Sequence, residues 1–333
     1  ASISRLLSWL DFECKLFCLP RKSFHKPDII IVSSLSLLSI IYGYFLKKRY
    51  NSTLVFEIRD IWPLTMTEEG GFSSWHPLVL LLGMVEKFGY KKADLIVGTM
   101  PRLDLHVREI LGHDRPFFCS PIGYSKESKS ASLSNLGKLD LESYFPKDKI
   151  IVGYCGSMGI SNALDTLIRC IEMLDEHPDV HFVLVGDGDL RKKYMLRLAL
   201  SANATFVPRV PPTEVPHFLA LCDILYLSTH NSKVWRFGQS MNKFVEYMLS
   251  SKPILATYSG FPSMLNESKA GEFVQPDDED LLKAAILKYT SMTSSEREGI
   301  GANGRRWILR NRSYERLADD YLLEMEKLFS HRT

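Results

Sequence analysis

Short, continuous apolar runs alternate with stretches of helical period along nearly the whole chain. Runs that are apolar on successive residues, rather than on every second one, read as strands buried on both faces of a parallel sheet. In the first half these are Ile29–Val32, Thr53–Ile58, Leu95–Gly98 and Phe117–Cys119, with helices predicted near 35–49, 77–92 and 101–111 and Ser34 placed to cap the first of them. A Ser- and Lys-rich stretch from Ser125 to Lys138 has no apolar period and reads as a linker. A second alternation begins at Ile150, with strands at Ile150–Cys155, Phe182–Val185, Thr205–Val207, Ile224–Leu227, Pro253–Ala256 and Glu272–Val274. Its helices are predicted near 162–176, 189–201, 213–221, 241–250 and 278–289, and a helical tail covers about 295–330. The pattern predicts an α/β protein of two doubly wound, Rossmann-like domains facing a cleft, with ligands at the carboxyl ends of the strands. The boundaries follow: residues 1–125 as the first domain, 126–148 as linker, 149–312 as the second domain, and 313–333 as a helix packing back towards the first.

Composition narrows the function classes. Hydrophobic residues are 45% and charged residues 24% of the chain, which is ordinary globular usage. A net charge of +2 argues against a dedicated nucleic-acid binder. Six cysteines in 333 residues make no disulfide scaffold and read as reduced thiols of a cytosolic protein. The run Ile29–Leu46 is interrupted by four serines, so it reads as a strand and a helix rather than a membrane span. Residues 1–50 nevertheless hold eight Lys or Arg against three Asp or Glu, beside apolar runs at Leu6–Leu10 and Leu16–Leu19. That pairing predicts peripheral contact with an anionic membrane surface, without a spanning helix. The alternative is that Trp9, Phe12 and Phe17 are core or cover a sheet edge. The chain opens at Ala1 with no initiator Met and no signal-peptide pattern, which suggests a truncated chain.

The densest polar constellation is Gly238-Gln239-Ser240-Met241-Asn242-Lys243-Phe244-Val245-Glu246. Ser240 stands where a helix cap belongs, and Lys243 and Glu246 share one face of the first turns. A helix amino terminus with a lysine beside it suits a diphosphate, and a carboxylate one turn deeper suits two ribose hydroxyls. An ordinary surface Lys–Glu pair would look the same. Gly156-Ser157-Met158-Gly159 follows a strand and lets backbone amides approach an anion, although any strand-to-helix turn can look so. Gly186-Asp187-Gly188-Asp189 lacks the third glycine of a dinucleotide fingerprint; its D-x-D reads as a turn with Asp189 capping the next helix rather than as a metal site. Asp277-Asp278-Glu279-Asp280 reads as a capped, acidic helix start. Glu57-Ile58-Arg59-Asp60-Ile61-Trp62-Pro63 ends a strand with charge, aromatic and proline together, as a catalytic loop or as an Arg–Asp pair bracing one. No H-E-x-x-H, G-x-S-x-G or phosphate-binding G-x-x-x-x-G-K-[ST] occurs.

Three passages, in this order, resemble the retaining family 4 (group 1) glycosyltransferases of GT-B fold, in the bacterial polysaccharide branch of the L-fucosamine transferases. They are Arg59-Asp60-Ile61-Trp62-Pro63, then Gly153–Gly159 continuing to Leu164–Leu167, then Ser240–Met248 with Ser251-Lys252-Pro253-Ile254. The resemblance spans about residues 27–329 and implies a transferase that uses a nucleotide-diphosphate sugar, UDP-linked in expectation, as substrate, with no cofactor and no metal. It implies that Glu246 holds the ribose and Lys243 the diphosphate, aided by Ser240 and Asn242. Gly156, Ser157 and Gly159 would approach the phosphates, Gly186, Asp187 and Gly188 would line the donor cleft, and Arg209 and Val210 would lie near the base. Arg59 and Asp60 would face the sugar and, with Lys243, carry catalysis. The acceptor implied is a lipid-linked saccharide of capsule or O-antigen synthesis, met at the inner face of the bacterial cytoplasmic membrane. A nucleotide-sugar 2-epimerase and a non-catalytic nucleotide-sugar-binding subunit are the alternatives.

Four departures from the family's pattern matter. The first Glu of its E-x(7)-E motif would stand at Gly238, and its Arg and Lys of the first donor turn correspond to Ser157 and about Ser161. Its catalytic-region histidine aligns roughly with Arg59. The family also opens with a strand and glycine-rich loop upstream of anything here, so about a quarter of the acceptor domain is expected to be missing.

Overall fold

The computed structural model describes residues 3–19, 25–125 and 140–330. It divides into two compact units: one of Ala1–Pro121, Arg236–Gln239 and Ala318–Thr333, the other of Ile122–Trp235 and Ser240–Leu317.

In the first unit, α1 (Ile3–Cys18) precedes β1 (Ile29–Ser33), α2 (Ser39–Tyr50), β2 (Thr53–Ile58), α3 (Leu64–Glu68), α4 (Pro77–Lys92), β3 (Leu95–Gly98), α5 (Leu103–Leu111) and β4 (Phe117–Cys119). The four strands form one parallel sheet in the order β1-β2-β3-β4, in the register Ile29 to Thr53, Val55 to Leu95 and Ile96 to Phe117. Buried Leu54, Val55 and Phe56 make β2 apolar on both faces, as a sheet covered by helices requires.

The second unit runs β5 (Ile150–Cys155), α6 (Asp165–Met173), β6 (Val180–Val185), α7 (Arg191–Arg197), β7 (Ala204–Val207), α8 (Val215–Leu221) and β8 (Ile224–Ser228). It continues with α9 (Asn242–Leu249), β9 (Ile254–Thr257), α10 (Met264–Ser268), β10 (Gly271–Val274), α11 (Glu279–Thr290) and α12 (Ser294–Asn311). Its strands are also all parallel, in the order β10-β9-β8-β5-β6-β7. Successive residues feed opposite cores. Ile151, Val183, Leu225 and Ala256 join one buried cluster, while Val152, Leu184, Tyr226 and Leu255 join the other. That alternation is why these strands read as unbroken apolar runs.

α13 (Tyr314–Ser330) begins in the second unit and, from Ala318, belongs to the first. There its Met325 is buried with Val55, Leu95 and Val97, and Tyr321 stacks on Phe118 with ring centroids 5.8 Å apart.

Four local expectations are corrected. Ser34 caps no helix: α2 starts at Ser39, and the Ser34 hydroxyl instead accepts from the Arg59 backbone N–H at 2.9 Å. Asp189 caps no helix either, because α7 starts at Arg191 after Leu190. The helical tail is two helices, broken at Arg312–Ser313, where Tyr124 N–H donates to the Arg312 carbonyl at 2.9 Å. Residues 3–18, predicted only as a basic and apolar surface, form the helix α1. Asp278 does cap α11, accepting from Leu281 N–H at 2.9 Å. Residues 126–139 of the expected linker lie outside the described residues, and Leu141–Tyr144 is a short 3₁₀ turn. No described helix is long and apolar enough to cross a membrane.

Candidate active site

Counted within its own unit, the second sheet has the strand order six-five-four-one-two-three. The order reverses between β5 and β8. At such a switch point the loops leaving two neighbouring strands diverge to opposite faces and open a crevice at their carboxyl ends. β5 delivers Gly156-Ser157-Met158-Gly159 there, followed by a tight turn at Ile160–Asn162. β8 delivers Ser228 and His230, which fasten that turn. Ser228 Oγ donates to the Asn162 carbonyl at 2.5 Å, and His230 Nε2 lies 2.6 Å from the Ile160 carbonyl.

α9 brings Lys243 to this loop. Buried Tyr247 locks the helix to the end of β5, its hydroxyl accepting from Cys155 N–H at 3.0 Å and lying 3.3 Å from the Cys155 carbonyl. The stem of Lys243 runs against Gly156, where any Cβ would overlap its Cε. Its ammonium donates to Tyr154 Oη at 3.0 Å and Asn162 Oδ1 at 2.5 Å. It also lies 4.8 Å from the Tyr154 ring centroid. These partners are neutral, so the cation is oriented without being neutralised. Burial drives its pKa down to about 8, against the opposing pull of Cys155 and Glu246. Glu246, one turn on and exposed at the surface, has its carboxyl raised by desolvation, with Lys243 pulling it down. Burial holds the neighbouring Cys155 thiol protonated, its pKa pushed up to about 11.

The second glycine loop backs the first. Gly186 has φ +142°, and a Cβ there would overlap the Gly156 carbonyl oxygen. Gly156 N–H donates to the Val185 carbonyl at 3.0 Å and Met158 N–H to the Asp187 carbonyl at 2.8 Å. Asp187 turns its carboxylate onto Gly188 N–H at 2.8 Å, and Gly188 accepts from Arg191 N–H at 3.0 Å.

The sequence-predicted residues therefore separate. Gly156, Ser157, Gly159, Lys243 and Glu246 gather around the end of β5 and the start of α9, with Gly186, Asp187 and Gly188 behind the loop. Ser240 is corrected as a helix cap: α9 starts at Asn242 after Met241, and Ser240 Oγ accepts from Ile122 N–H at 2.8 Å. Asn242 and Arg209 are exposed, whereas Val210 is buried in the core. Arg59 and Asp60 belong to the first unit, at the carboxyl end of β2. There Arg59 pairs with Glu57 at 3.0 Å, and desolvation raises the Asp60 carboxyl against the lowering pull of Arg59. Sequence reasoning missed the roles of Tyr154, Asn162 and Tyr247. Tyr154 and Tyr247 lie inside the recognised motifs, but only the sheet order shows what their hydroxyls reach.

Residues 149–291 match the family model described as Glycosyl transferases group 1. Spore coat protein SA of Bacillus subtilis (strain 168) is 24% identical over 190 residues, covering 54% of this chain and 49% of that protein. The chain thus spans about half the length of this curated relative. Sucrose-phosphate synthase from Thermosynechococcus elongatus superposes with a TM-score of 0.76 at 17% identity, over 99% of this chain and 81% of that one. Anabaena HepE in complex with UDP does so with a TM-score of 0.67 at 15% identity, over 92% and 80%. The fold is that of the GT-B glycosyltransferases, and residues 149–291 carry the sequence signature of their group 1 family.

Proposed function

We propose that the protein is a retaining glycosyltransferase that moves a sugar from a UDP-linked donor to a lipid-linked saccharide in bacterial surface-polysaccharide synthesis. One observation carries this reading: Lys243 stands at the switch point on the first turn of α9, aimed by two neutral oxygens and unpaired with them electrostatically. Such a cation, beside helix amino-terminal N–H groups, stabilises the charge that develops on a departing diphosphate. Glu246 accepts the ribose hydroxyls, and Gly156, Ser157 and Gly159 supply close backbone approach to the phosphates. HepE, of the same fold, holds UDP, which supports the choice of donor. Arg59 and Asp60 act on the sugar. The acceptor attacks from the face the diphosphate leaves, and the departing phosphate takes its proton, so no protein nucleophile is needed. The L-fucosamine-transferase branch is the expected subfamily, and peripheral attachment to an anionic inner membrane is the expected location.

Replacing Glu246→Ala is expected to weaken UDP binding tenfold or more at unchanged fold, since a hydrogen bond to a charged group is worth about 1.5–3 kcal/mol. Calorimetry at unchanged melting temperature checks it, and equal affinity removes Glu246 from the ribose role. Transfer is also expected to survive EDTA. Metal dependence that disappears in Asp187→Asn would reinstate a metal at the D-x-D. Turnover of the nucleotide sugar without an acceptor would favour the epimerase.

A further inference from the structure

A pocket of about 730 Å³ lies in the first unit between α1, β1 and α2. Ligand pockets typically measure about 300–1,000 Å³ and are mostly apolar with a few polar groups at one place. Here the walls include Trp9, Phe12, Leu16, Ile31, Tyr42 and Leu46; Ser33 and Ser36 line the pocket at the carboxyl end of β1, and His25 lines it from before the amino end. At that end two buried polar atoms have no partner: Ser33 Oγ and Glu13 Oε2. Glu13 is only 6% exposed, and its other oxygen accepts from the Ser36 and Ser39 hydroxyls.

The polar end adjoins the Arg59–Pro63 segment. Trp9 packs edge-on against Trp62 with centroids 6.5 Å apart, and Ser34, next to Ser33, accepts from Arg59 N–H. The Arg59 guanidinium is over half exposed, pairs with Glu57 at 3.0 Å and also acts on the Asp60 carboxyl. The pocket is therefore a mainly apolar slot whose end at Ser33 and Ser36 adjoins the segment that carries Arg59 and the residues expected to handle the sugar.

We infer that this slot holds the hydrocarbon chain of the lipid-linked acceptor, with its saccharide head at the Ser33–Ser36 end. Sugar hydroxyls both donate and accept, so they suit the unpartnered Ser33 Oγ on the slot's wall, with Glu13 fixing the neighbouring Ser36 and Ser39 hydroxyls from behind, and the Arg59 guanidinium complements a lipid phosphate. The identity of the head rests on the transferase reading; the chain-binding slot does not.

The test titrates the full chain with n-alkyl β-glucosides of increasing chain length, below their micelle concentrations, and in parallel with UDP. Affinity is expected to rise about fourfold per methylene until the slot is full. Ile31→Arg and Leu35→Arg, at half-exposed and exposed lining positions, are each expected to cost at least tenfold in glucoside affinity and nothing in UDP affinity. Equal affinity for all chain lengths, or unchanged binding in both variants, overturns the slot whatever UDP does. Self-association that both variants abolish, without glucoside binding, assigns the face to a second copy and overturns it too. Glucoside binding without UDP binding keeps the slot and removes the donor reading instead.

Discussion

Replacing Lys243→Met is expected to lower UDP affinity about 100-fold, the upper end of what one charge-assisted hydrogen bond supplies, while making the free protein more stable. The two effects have one cause. An ordinary lysine has a pKa of 10.5, and here it is about 8, so the folded state holds the ammonium at a cost. That depression corresponds to at most about 3 kcal/mol at neutral pH. The hydrogen bonds to Tyr154 and Asn162 and the head's partial contact with water reduce it, so a gain of about 1–2 kcal/mol is the expected result. The sign follows from linkage: the folded pKa lies below the unfolded one, so the penalty is full below pH 8 and fades as pH rises towards 10.5. Binding has the opposite slope. Above pH 8 the free protein must take up a proton to bind diphosphate, so affinity falls by up to about tenfold per pH unit. Calorimetry across pH 7–9.5, with parallel thermal melts, checks both halves. A variant that binds UDP like the parent, or a parent whose affinity is flat across that range, removes Lys243 from the diphosphate.

Gly186→Ala is expected to destabilise the second unit by about 3–5 kcal/mol, among the largest effects a single methyl produces. At φ +142° an alanine is strained before any contact is counted, and its Cβ overlaps the Gly156 carbonyl oxygen. Relief requires the two loops to part, which strains the hydrogen bonds from Gly156 and Met158 across the junction. At about 2–4 °C per kcal/mol for a domain of this size, the melt should fall by roughly 10 °C. UDP binding should weaken as well, since Gly156 is the surface along which the Lys243 stem lies. A melt within about 2 °C of the parent would show that the loops tolerate separation.

Every strand among the described residues was legible because a strand buried on both faces leaves an uninterrupted apolar run, and the flanking turns bound it. Three helix starts were not, although those of α4 at Pro77 and of α11 after Asp278 were. Ser34, Asp189 and Ser240 each carry a side chain suited to capping, but two of them serve a distant backbone. Ser34 reaches Arg59, 25 residues on, and Ser240 reaches Ile122, 118 residues back. A local pattern cannot distinguish a hydroxyl that caps its own helix from one that receives another segment. The same limit divides the site. The spacing of Lys243 and Glu246 is a property of one helix and is visible in the sequence. The oxygens that aim Lys243 come from β5 and the turn after it, which become its neighbours only when β5 is inserted between β8 and β6. The amphipathic α1 shows an intermediate case. Its apolar residues were evident, but their role as one wall of a pocket depends on α2 and β1.

Gly238 limits how this chain can change. It has φ +95°, and a Cβ there would lie 2.5 Å from Pro101 Cγ and Cδ. A glutamate at this position, where the resemblance would have the first carboxylate of a pair, clashes with Pro101 and is strained by the backbone whatever stands at 101. A smaller residue at 101 would remove the clash of Gly238→Glu but not the strain of the positive φ. The turn itself therefore holds position 238 to glycine, and a carboxylate there requires a change of backbone as well as of Pro101.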